Sequence, residues 1–351
     1  MVSRVVFARS SCVLLFLSFP LSTCLLAQPS ATAGASKLAA DVVVSAAAEP
    51  EPAVSLGAAA TVIDAEEIVA SRTTTVLDLL RTVPGLDVVQ SGGPGTVASL
   101  FLRGTSSTQT LVLVDGVALN SPFFGGTDLS GLSLANVERI EVVRGPFSAL
   151  YGSDAIGGVV RIFTRRAADA GASGHASFAL GNAGGKEGLG EIGFLEGVLS
   201  GTLGFRRTLS WGDRPNEFFS GTSLSGALSA QVGERASVGV TARRESGRTG
   251  IPTDGATPTL QRSTSSDTTA VEVPLSLSLS KNISLSASVR YVRDRPGYAD
   301  PADPFFTSST TDARRAGARV ASTSALGAHR LTVGADWERT LVSNESNFGV
   351  A

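Results

Sequence analysis

The chain has 351 residues, enough for two domains of ordinary size, with 39 glycines and only 6% aromatic residues. Because 42% of the residues are hydrophobic and 17% are charged, the composition excludes an intrinsically disordered chain, and frequent polar interruptions exclude a bundle of membrane helices. The 29 basic and 31 acidic residues leave no positive excess, so the sequence lacks the electrostatic footprint of a nucleic-acid-binding protein.

Residues 1–27 have the pattern of a secretory signal peptide, because two arginines precede an apolar stretch over residues 12–27. Cleavage after Ala27 would remove both cysteines of the chain. Two alternatives stay open. One is a membrane anchor, although the stretch is shorter than the roughly 20 residues that a spanning helix needs. The other is a lipoprotein signal that ends at Cys24.

Residues 28–57 are rich in Ala, Ser and Pro, which is typical of a flexible tail. A short segment within this tail favours an extended backbone because it contains three consecutive valines: Asp41-Val42-Val43-Val44-Ser45.

Residues 58–166 have the pattern of a compact α+β domain. Two short helices are predicted where capping-box spacings occur, the first after Asp64 and the second after Thr75 and through Val83. Strands are predicted at 59–63, 99–103, 110–115, 137–143 and 159–164. The glycine-rich links at 91–95 and 120–127 are too long for tight turns, so we expect exposed loops with little to anchor them.

Several segments of this domain resemble the plug of TonB-dependent outer-membrane receptors, in the same order along the chain. They are Val76-Leu-Asp-Leu-Leu-Arg-Thr-Val-Pro-Gly-Leu86, Phe101-Leu-Arg-Gly104, Val112-Leu-Val-Asp-Gly-Val117 and Val137-Glu-Arg-Ile-Glu-Val-Val-Arg-Gly-Pro-Phe-Ser-Ala-Leu-Tyr-Gly-Ser-Asp-Ala-Ile-Gly-Gly-Val-Val160. The last segment is most similar to the cobalamin receptors. The resemblance implies that residues 41–45 are a TonB box, which binds a TonB-like energy-transducing protein by strand addition.

Residues 167–351 show long two-residue alternations, which predict part of an antiparallel transmembrane β-barrel. The nine predicted strands are 175–181, 188–196, 198–211, 223–233, 236–247, 268–280, 283–294, 314–326 and 330–342. Tight links alternate with long ones at 212–222, 248–267 and 295–313, as in outer-membrane barrels. A soluble β-sandwich is the alternative, but its strands are usually shorter. Receptors with a plugged lumen have about 22 strands, so we expect a truncated barrel.

Neither a catalytic site nor a metal or cofactor site is predicted, so we do not expect an enzyme. His175 and His329 lie 154 residues apart in the sequence, and a mature chain would have no thiol. Residues 184–186 lack the rest of a phosphate-binding loop and indicate a turn. Three aspartates within 294–303 could gather around calcium, but their proline-rich spacing favours solvated charges.

The resemblance also implies roles for individual plug residues. Arg103 and Arg144 match plug arginines that pair with barrel carboxylates in the family, which predicts a lock between plug and barrel. A salt bridge to Glu138 or Glu141 within the plug is the alternative. Apical plug loops meet the cargo in the family, and the corresponding residues here are Gly92, Gly93, Gly95, Phe123, Phe124, Gly125 and Gly126. The alternative for the two phenylalanines is packing inside the plug.

The function that the resemblance implies is TonB-dependent active transport of a scarce chelate, cobalamin or a ferric siderophore, across the bacterial outer membrane. The strands would contact outer-membrane lipid, and neither nucleic acid nor a cofactor would take part. The alternative is a truncated remnant or a periplasmic binding module without transport activity.

Overall fold

The computed structural model describes residues 3–10, 43–44, 51–52, 59–167, 170–254, 257–327 and 329–348. Residues 59–167 form the domain that we call the plug, and the described residues of 170–348 form a large antiparallel sheet that we call the wall. Three strands precede the plug: β1 (Ser3–Ser10), β2 (Val43–Val44) and β3 (Glu51–Pro52). Residues 11–27 of the predicted signal peptide lie outside the described residues.

The plug is an α+β domain built on a five-stranded sheet of order β4-β9-β10-β7-β8, in which β7 and β10 are parallel. Strands β5 and β6 form a separate hairpin. The elements are β4 (Ala59–Ile63), α1 (Ala65–Ser71), α2 (Val76–Leu80), β5 (Leu86–Gln90), β6 (Ala98–Leu102), β7 (Thr110–Val114), β8 (Val117–Ala118), β9 (Val137–Arg144), α3 (Ser148–Tyr151) and β10 (Gly158–Thr164).

Both predicted helices begin at their predicted caps. The Asp64 carboxylate accepts a hydrogen bond of 2.9 Å from the Glu67 amide, and the Thr75 hydroxyl accepts one of 3.1 Å from the Asp78 amide. The second helix ends at Leu80, before the predicted end at Val83, because the chain then enters a turn. Strands β5 and β8 are absent from the prediction. The sequence of β5, Leu-Asp-Val-Val-Gln, does not alternate, and the two residues of β8 are too few to show an alternation.

The plug core lies between α1, α2 and the five-stranded sheet. Leu80, Leu102, Val112 and Ile140 are fully buried in it. Burying one such side chain contributes about 1.5–3 kcal/mol to the free energy of folding. The plug therefore has a hydrophobic core of its own, independent of the wall.

The wall contains all nine predicted strands and extends several of them. Its strands are β11 (Gly171–Leu180), β12 (Lys186–Glu196), β13 (Leu199–Ser210), β14 (Phe219–Val232), β15 (Ala236–Gly250), β18 (Ser263–Ser280), β19 (Ile283–Asp294), β20 (Gly297–Ala299), β21 (Phe306–Leu326) and β22 (His329–Phe348). The hairpin of β16 (Thr253–Asp254) and β17 (Thr257–Pro258) lies between β15 and β18, and β1 pairs with β22 at one edge. In the part of the chain that the structure describes, none of the helices has the length and apolar character needed to cross a membrane.

Parts of the three predicted long loops are strand in the structure. Residues 219–222, 248–250, 263–267 and 306–313 belong to β14, β15, β18 and β21. These segments contain many Ser and Thr residues, so they have the composition of loops, yet their backbones pair with neighbouring strands. The predicted loop boundaries are wrong at these places, because composition does not show backbone pairing.

The two rims of the wall differ in the length of their connections. Connections of two or three residues lie at one rim, at 197–198, 233–235, 281–282 and 327–328. Connections of five to twelve residues lie at the other, at 181–185, 211–218, 251–262 and 295–305. We call the second the long-loop rim.

Candidate functional site

The plug loop of residues 91–97, which joins β5 to β6, lies against the wall near the long-loop rim. The Thr249 hydroxyl donates a hydrogen bond of 2.8 Å to the carbonyl oxygen of Gly95. Gly95 has a φ of +77°, and a Cβ at this position would overlap the ring of Phe219. Only glycine is accommodated here, and the expectation that this loop has little to anchor it is wrong.

The other predicted cargo glycines of this loop, Gly92 and Gly93, are also ordered by neighbours. The Gly93 carbonyl accepts hydrogen bonds of 3.0 Å from the Gln90 side chain and 2.8 Å from the Thr96 hydroxyl. A Cβ built on Gly93 would lie 3.7 Å from a carboxylate oxygen of Glu217 in the wall loop of residues 211–218. The plug loop and this wall loop therefore face each other.

Glu217 organises the wall loop of residues 211–218. Its carboxylate accepts hydrogen bonds of 3.0 Å from the backbone amides of Asp213 and Arg214, and one of 2.7 Å from the Arg214 guanidinium. The hydrogen bond from Arg214, with the two backbone donors, lowers the pKa of Glu217 to about 2. At neutral pH Glu217 is therefore ionised and held in an ion pair with Arg214 beside Gly93.

The second plug loop presents an aromatic pair. Phe123 and Phe124 are 46% and 60% exposed and meet edge to face, with ring centroids 4.8 Å apart. Ser121 ties the turn through hydrogen bonds of 2.8 Å to Gly125 and Gly126, so this loop is anchored as well. The rings lie on the plug surface and take no part in its core.

Arg144 is buried and bonds within the plug. Its guanidinium donates hydrogen bonds of 2.9 Å to the carbonyl oxygen of Pro84 and 2.7 Å to the hydroxyl of Thr61. Burial, followed by the positive charge of Arg103, lowers the pKa of Arg144. Arg103 itself is exposed, with a φ of +51°. The structure thus places both arginines together but brings no wall carboxylate to Arg144 in the contacts it describes.

The alternative to the lock, a salt bridge from these arginines to Glu138 or Glu141 within the plug, also differs from the contacts observed for Arg144. Glu141 is buried and pairs with Arg139 at 3.0 Å and Arg161 at 3.9 Å, while Glu138 pairs with Arg139 at 3.5 Å. The Glu141–Arg161 pair connects β9 to β10, and the other two pairs lie within β9. Arg144 uses a backbone carbonyl and a hydroxyl in place of these carboxylates.

The hydrogen bonds that join plug to wall run mostly from wall side chains to plug backbone. Arg243 donates hydrogen bonds to the carbonyl oxygens of Ser133 at 3.0 Å and Ala135 at 3.4 Å, and the Ser225 hydroxyl donates to Ala135 at 3.2 Å. Arg243, which is buried, also pairs at 3.2 Å with Glu245, which is partly buried. This group clamps the segment before β9.

Two further contacts lie on either side of this clamp. Arg315 donates a hydrogen bond of 3.0 Å to the carbonyl oxygen of Asn120, at the start of the loop that carries the phenylalanine pair. Glu191 accepts one of 2.7 Å from the backbone amide of Asn136. These contacts come from β12, β14, β15 and β21, so the wall holds the plug at places spread across the sheet.

The sequence prediction misses Arg243, Arg315 and Glu191. Each stands at a position of the strand alternation that faces the plug, among Ser, Thr and Gly residues. The sequence signal that could have found these plug contacts is a charged residue on the face of a predicted barrel strand that otherwise carries small and polar residues.

Among the described residues, we find no group of three or more His, Cys, Asp or Glu side chains placed to bind a metal. The aspartates of 294–303 bond to protein donors. Asp300 accepts a hydrogen bond of 2.7 Å from Arg262, and Asp303 accepts backbone hydrogen bonds of 2.8 Å from Phe305 and 2.9 Å from Phe306.

Comparisons with known proteins agree with this architecture. Residues 52–159 match the family model described as the TonB-dependent Receptor Plug Domain. The vitamin B12 transporter BtuB of Vibrio vulnificus (strain YJ016) is 53% identical over 107 residues, which cover 30% of this chain and 18% of that protein.

Solved structures extend the likeness to the wall. The ferric preacinetobactin receptor BauA from Acinetobacter baumannii superposes with a TM-score of 0.71 at 16% identity, covering 86% of this chain and 50% of that one. The ferric yersiniabactin uptake receptor FyuA from Yersinia pestis gives 0.69 at 18% identity, covering 84% and 50%. The chain thus spans about half the length of these receptors. Residues 52–159 are a TonB-dependent receptor plug domain, and the chain joins this plug to an antiparallel wall with the fold of a TonB-dependent receptor barrel.

Proposed function

We propose that the chain acts in TonB-dependent uptake of a scarce chelate, cobalamin or a ferric siderophore, across the bacterial outer membrane. The observation that carries this proposal is the 53% identity to a vitamin B12 transporter over 107 residues. An N-terminal signal peptide of residues 1–27 would direct export, and its cleavage would remove β1 from the edge of the wall at β22. The wall would contact outer-membrane lipid through its apolar outer face.

The proposed cargo site is formed by three loops, two from the plug and one from the wall. The plug contributes residues 91–97 and the loop of Phe123 and Phe124, and the wall contributes residues 211–218. Gly92 and Gly93 allow close backbone approach, and Gly95 seats the same loop against the wall. The exposed aromatic pair offers an apolar surface of the kind that a corrin ring or a catechol can stack on. The site binds and releases its cargo without chemistry, so we propose no catalytic residue.

The proposed energy coupling begins at residues 41–45, the TonB box. Val43 and Val44 form β2, which pairs with β3, whereas Asp41, Val42 and Ser45 lie outside the described residues. A TonB-like protein would bind this segment by strand addition and pull on the plug. The plug–wall contacts at Ser133 and Asn120 are polar and could exchange for water when the plug moves.

Binding tests the cargo part of the proposal. The purified chain is titrated with cyanocobalamin and, separately, with ferric enterobactin, and binding is followed by quenching of tryptophan fluorescence. Saturable binding of one ligand and not the other would assign the cargo class. Absence of binding to both would contradict the proposed cargo class.

Uptake tests the coupling part. Radiolabelled ligand is offered to a bacterial strain that lacks its own cobalamin and siderophore receptors and expresses this chain. Val43→Pro should abolish energised uptake and leave binding intact, because proline removes a backbone donor from the added strand. Ala47→Pro, in the same tail, is the control. Binding without uptake by the unmodified chain would favour the alternative, a binding module.

A further inference from the structure

Alternation along the wall strands separates a plug-facing side from an outer side. Arg243 contacts the plug, so its neighbour Arg244 faces outward, and its side chain is 61% exposed. The strand register carries this assignment across the sheet, because Arg244 is opposite Thr269, Thr269 is opposite Arg293, and Arg293 is opposite Arg314. Residues directly opposite on paired strands share a face.

The outer side is apolar toward the short connections. One row of outer residues that are directly opposite each other on neighbouring strands consists of Val273, Val289, Ala318 and Trp337. The side chains of Val289 and Trp337 are 62% and 53% exposed. Such a band of exposed apolar residues suits lipid chains. The row of Arg244, Arg293 and Arg314 lies two rows nearer the long-loop rim.

A group of charged residues therefore borders the apolar band on its long-loop side. We call it the outer arginine cluster, and it comprises Arg207, Arg244, Arg248, Arg293, Arg314, Asp267 and Asp312. Five arginines and two aspartates leave a net charge of +3.

The two aspartates are already occupied by arginines. Asp267 accepts hydrogen bonds of 2.7 Å and 3.1 Å from Arg244. Asp312 accepts hydrogen bonds of 2.8 Å from Arg293 and 2.6 Å from Arg314. These pairs hold the guanidinium groups in fixed positions on the outer face.

Two other guanidinium groups bond only to neutral oxygens in the contacts described. Arg207 donates to the hydroxyls of Thr222 at 2.6 Å and Ser220 at 2.8 Å, and Arg248 donates to the hydroxyl of Ser263 at 3.3 Å. Positive charge without a carboxylate thus lies on the long-loop side of the apolar band. An anion with its own apolar tail would complement both features.

We propose that the outer arginine cluster binds the phosphate groups of a phosphorylated lipid in the leaflet on the long-loop side. Guanidinium forks match phosphate oxygens in geometry, and the apolar band beneath the cluster would receive the acyl chains. The occupant is a membrane lipid and not free phosphate, because the cluster is continuous with the apolar band. This inference rests on the proposed membrane location.

The test compares two arginine triads of the same design on opposite faces. On the outer face, Arg314 and Arg293 share Asp312; on the plug-facing side, Arg319 and Arg290 share Asp336, with hydrogen bonds of 2.7 Å from Arg319 and 2.8 Å from Arg290. Arg314 and Arg319 are 50% and 44% exposed. Arg319→Gln is therefore a matched control for Arg314→Gln, and neither variant leaves its aspartate unpaired.

The full chain is refolded into vesicles of phosphatidylcholine with or without a minor fraction of lipid A, and the lipid that stays bound after extraction in mild detergent is measured by native mass spectrometry. We expect lipid A to be retained selectively. We also expect the triple variant Arg207→Gln, Arg248→Gln, Arg314→Gln to retain about tenfold less, because it loses three charge-assisted donors. The single variant Arg314→Gln should retain less lipid A than the unmodified chain, whereas its matched control Arg319→Gln should retain as much.

Further measurements separate the possible failures. The triple lysine variant at the same three positions should retain an intermediate amount of lipid A. This result would show that lipid retention by the folded wall depends on positive charge. Inorganic phosphate in excess should not displace the lipid; displacement would show a simple anion site and overturn the proposal. Equal retention by the triple glutamine variant and the unmodified chain would also overturn it. A chain that stays outside both kinds of vesicle would contradict the proposed membrane location itself.

Discussion

Arg243 of the wall donates a hydrogen bond of 3.0 Å to the carbonyl oxygen of Ser133 in the plug, across 110 residues of sequence. The family resemblance predicts the opposite arrangement, in which plug arginines bind wall carboxylates. In this chain the wall supplies the cation, and the plug supplies backbone oxygens. The contact therefore depends on the path of the plug backbone, which the buried Ser133 hydroxyl helps to hold by accepting a hydrogen bond of 3.0 Å from the Ala135 amide.

Replacing Arg243 by Met should destabilise the chain strongly. The change leaves the partly buried Glu245 without its paired cation and leaves the carbonyl oxygens of Ser133 and Ala135 without this donor. Loss of one partner from a buried ion pair costs about 3–5 kcal/mol. Urea unfolding of the refolded chain measures the change. Arg244→Met is the control, because its exposed ion pair should contribute less than about 1 kcal/mol. Equal losses in the two variants would contradict the clamp.

Arg144→Met should destabilise the plug itself. Its guanidinium satisfies the carbonyl of Pro84 and the hydroxyl of Thr61, and each buried group left unsatisfied costs about 1–3 kcal/mol. Hydrogen exchange of the amides in β4 and β9 reports this loss. Arg103→Met, at an exposed neighbour, should change stability by less than about 0.5 kcal/mol. Faster exchange confined to the wall would instead support the predicted plug–barrel lock.

Gly95→Ala and Gly104→Ala form a matched pair with different outcomes. Both glycines have positive φ values, +77° and +74°, so both changes carry backbone strain of about 1–2 kcal/mol. At Gly95 the new Cβ also overlaps Phe219, whereas at Gly104 it meets no heavy atom within 4 Å. Overpacking adds about 1–3 kcal/mol at Gly95 alone. Unfolding free energies that agree between the two variants would show that the loop does not contact the wall.

The wall loop of residues 211–218 should keep its conformation to unusually low pH. The pKa of Glu217 is lowered to about 2, so its hydrogen bonds are fully formed above the unfolded-state pKa of about 4.3 and are lost only as the pH falls through about 2. Acrylamide quenching of Trp211, in a Trp337→Phe background, follows the loop. Glu217→Gln should show the loosened state at every pH. A midpoint near pH 4 in the unmodified loop would refute the strong anchoring by Arg214.

Much of the fold could be predicted because local patterns encode it. The Asp64 cap sets the start of α1, and the long alternations identify nine of the ten wall strands, missing the three-residue β20. The clamp could not be predicted, because the acceptors of Arg243 are backbone carbonyls, which every residue has. The role of Gly95 was missed in part for a similar reason. A glycine-rich loop indicates backbone freedom, but its contact with Thr249 depends on how plug and wall pack.

Phe123 and Phe124 provide the sharpest test of the proposed cargo loop. Changing both to Ser should alter the free energy of unfolding by less than about 1 kcal/mol, because exposed substitutions usually have small effects. The side chains are 46% and 60% exposed, so little burial is lost. Affinity for the ligand that the unmodified chain binds should fall about tenfold, since aromatic contacts contribute roughly 0.5–1.5 kcal/mol beyond the apolar area that they bury.

Phe219→Ser is the control for this pair, because Phe219 is only 6% exposed and lies under Gly95. This change should cost about 3–5 kcal/mol of stability, the usual loss for a large buried side chain. Measuring the free energy of unfolding and the ligand affinity of each variant thus separates a surface role from a packing role. A double Ser variant with unaltered affinity for both cyanocobalamin and ferric enterobactin would remove Phe123 and Phe124 from the site. A double Ser variant as unstable as Phe219→Ser would show that the pair packs in the plug.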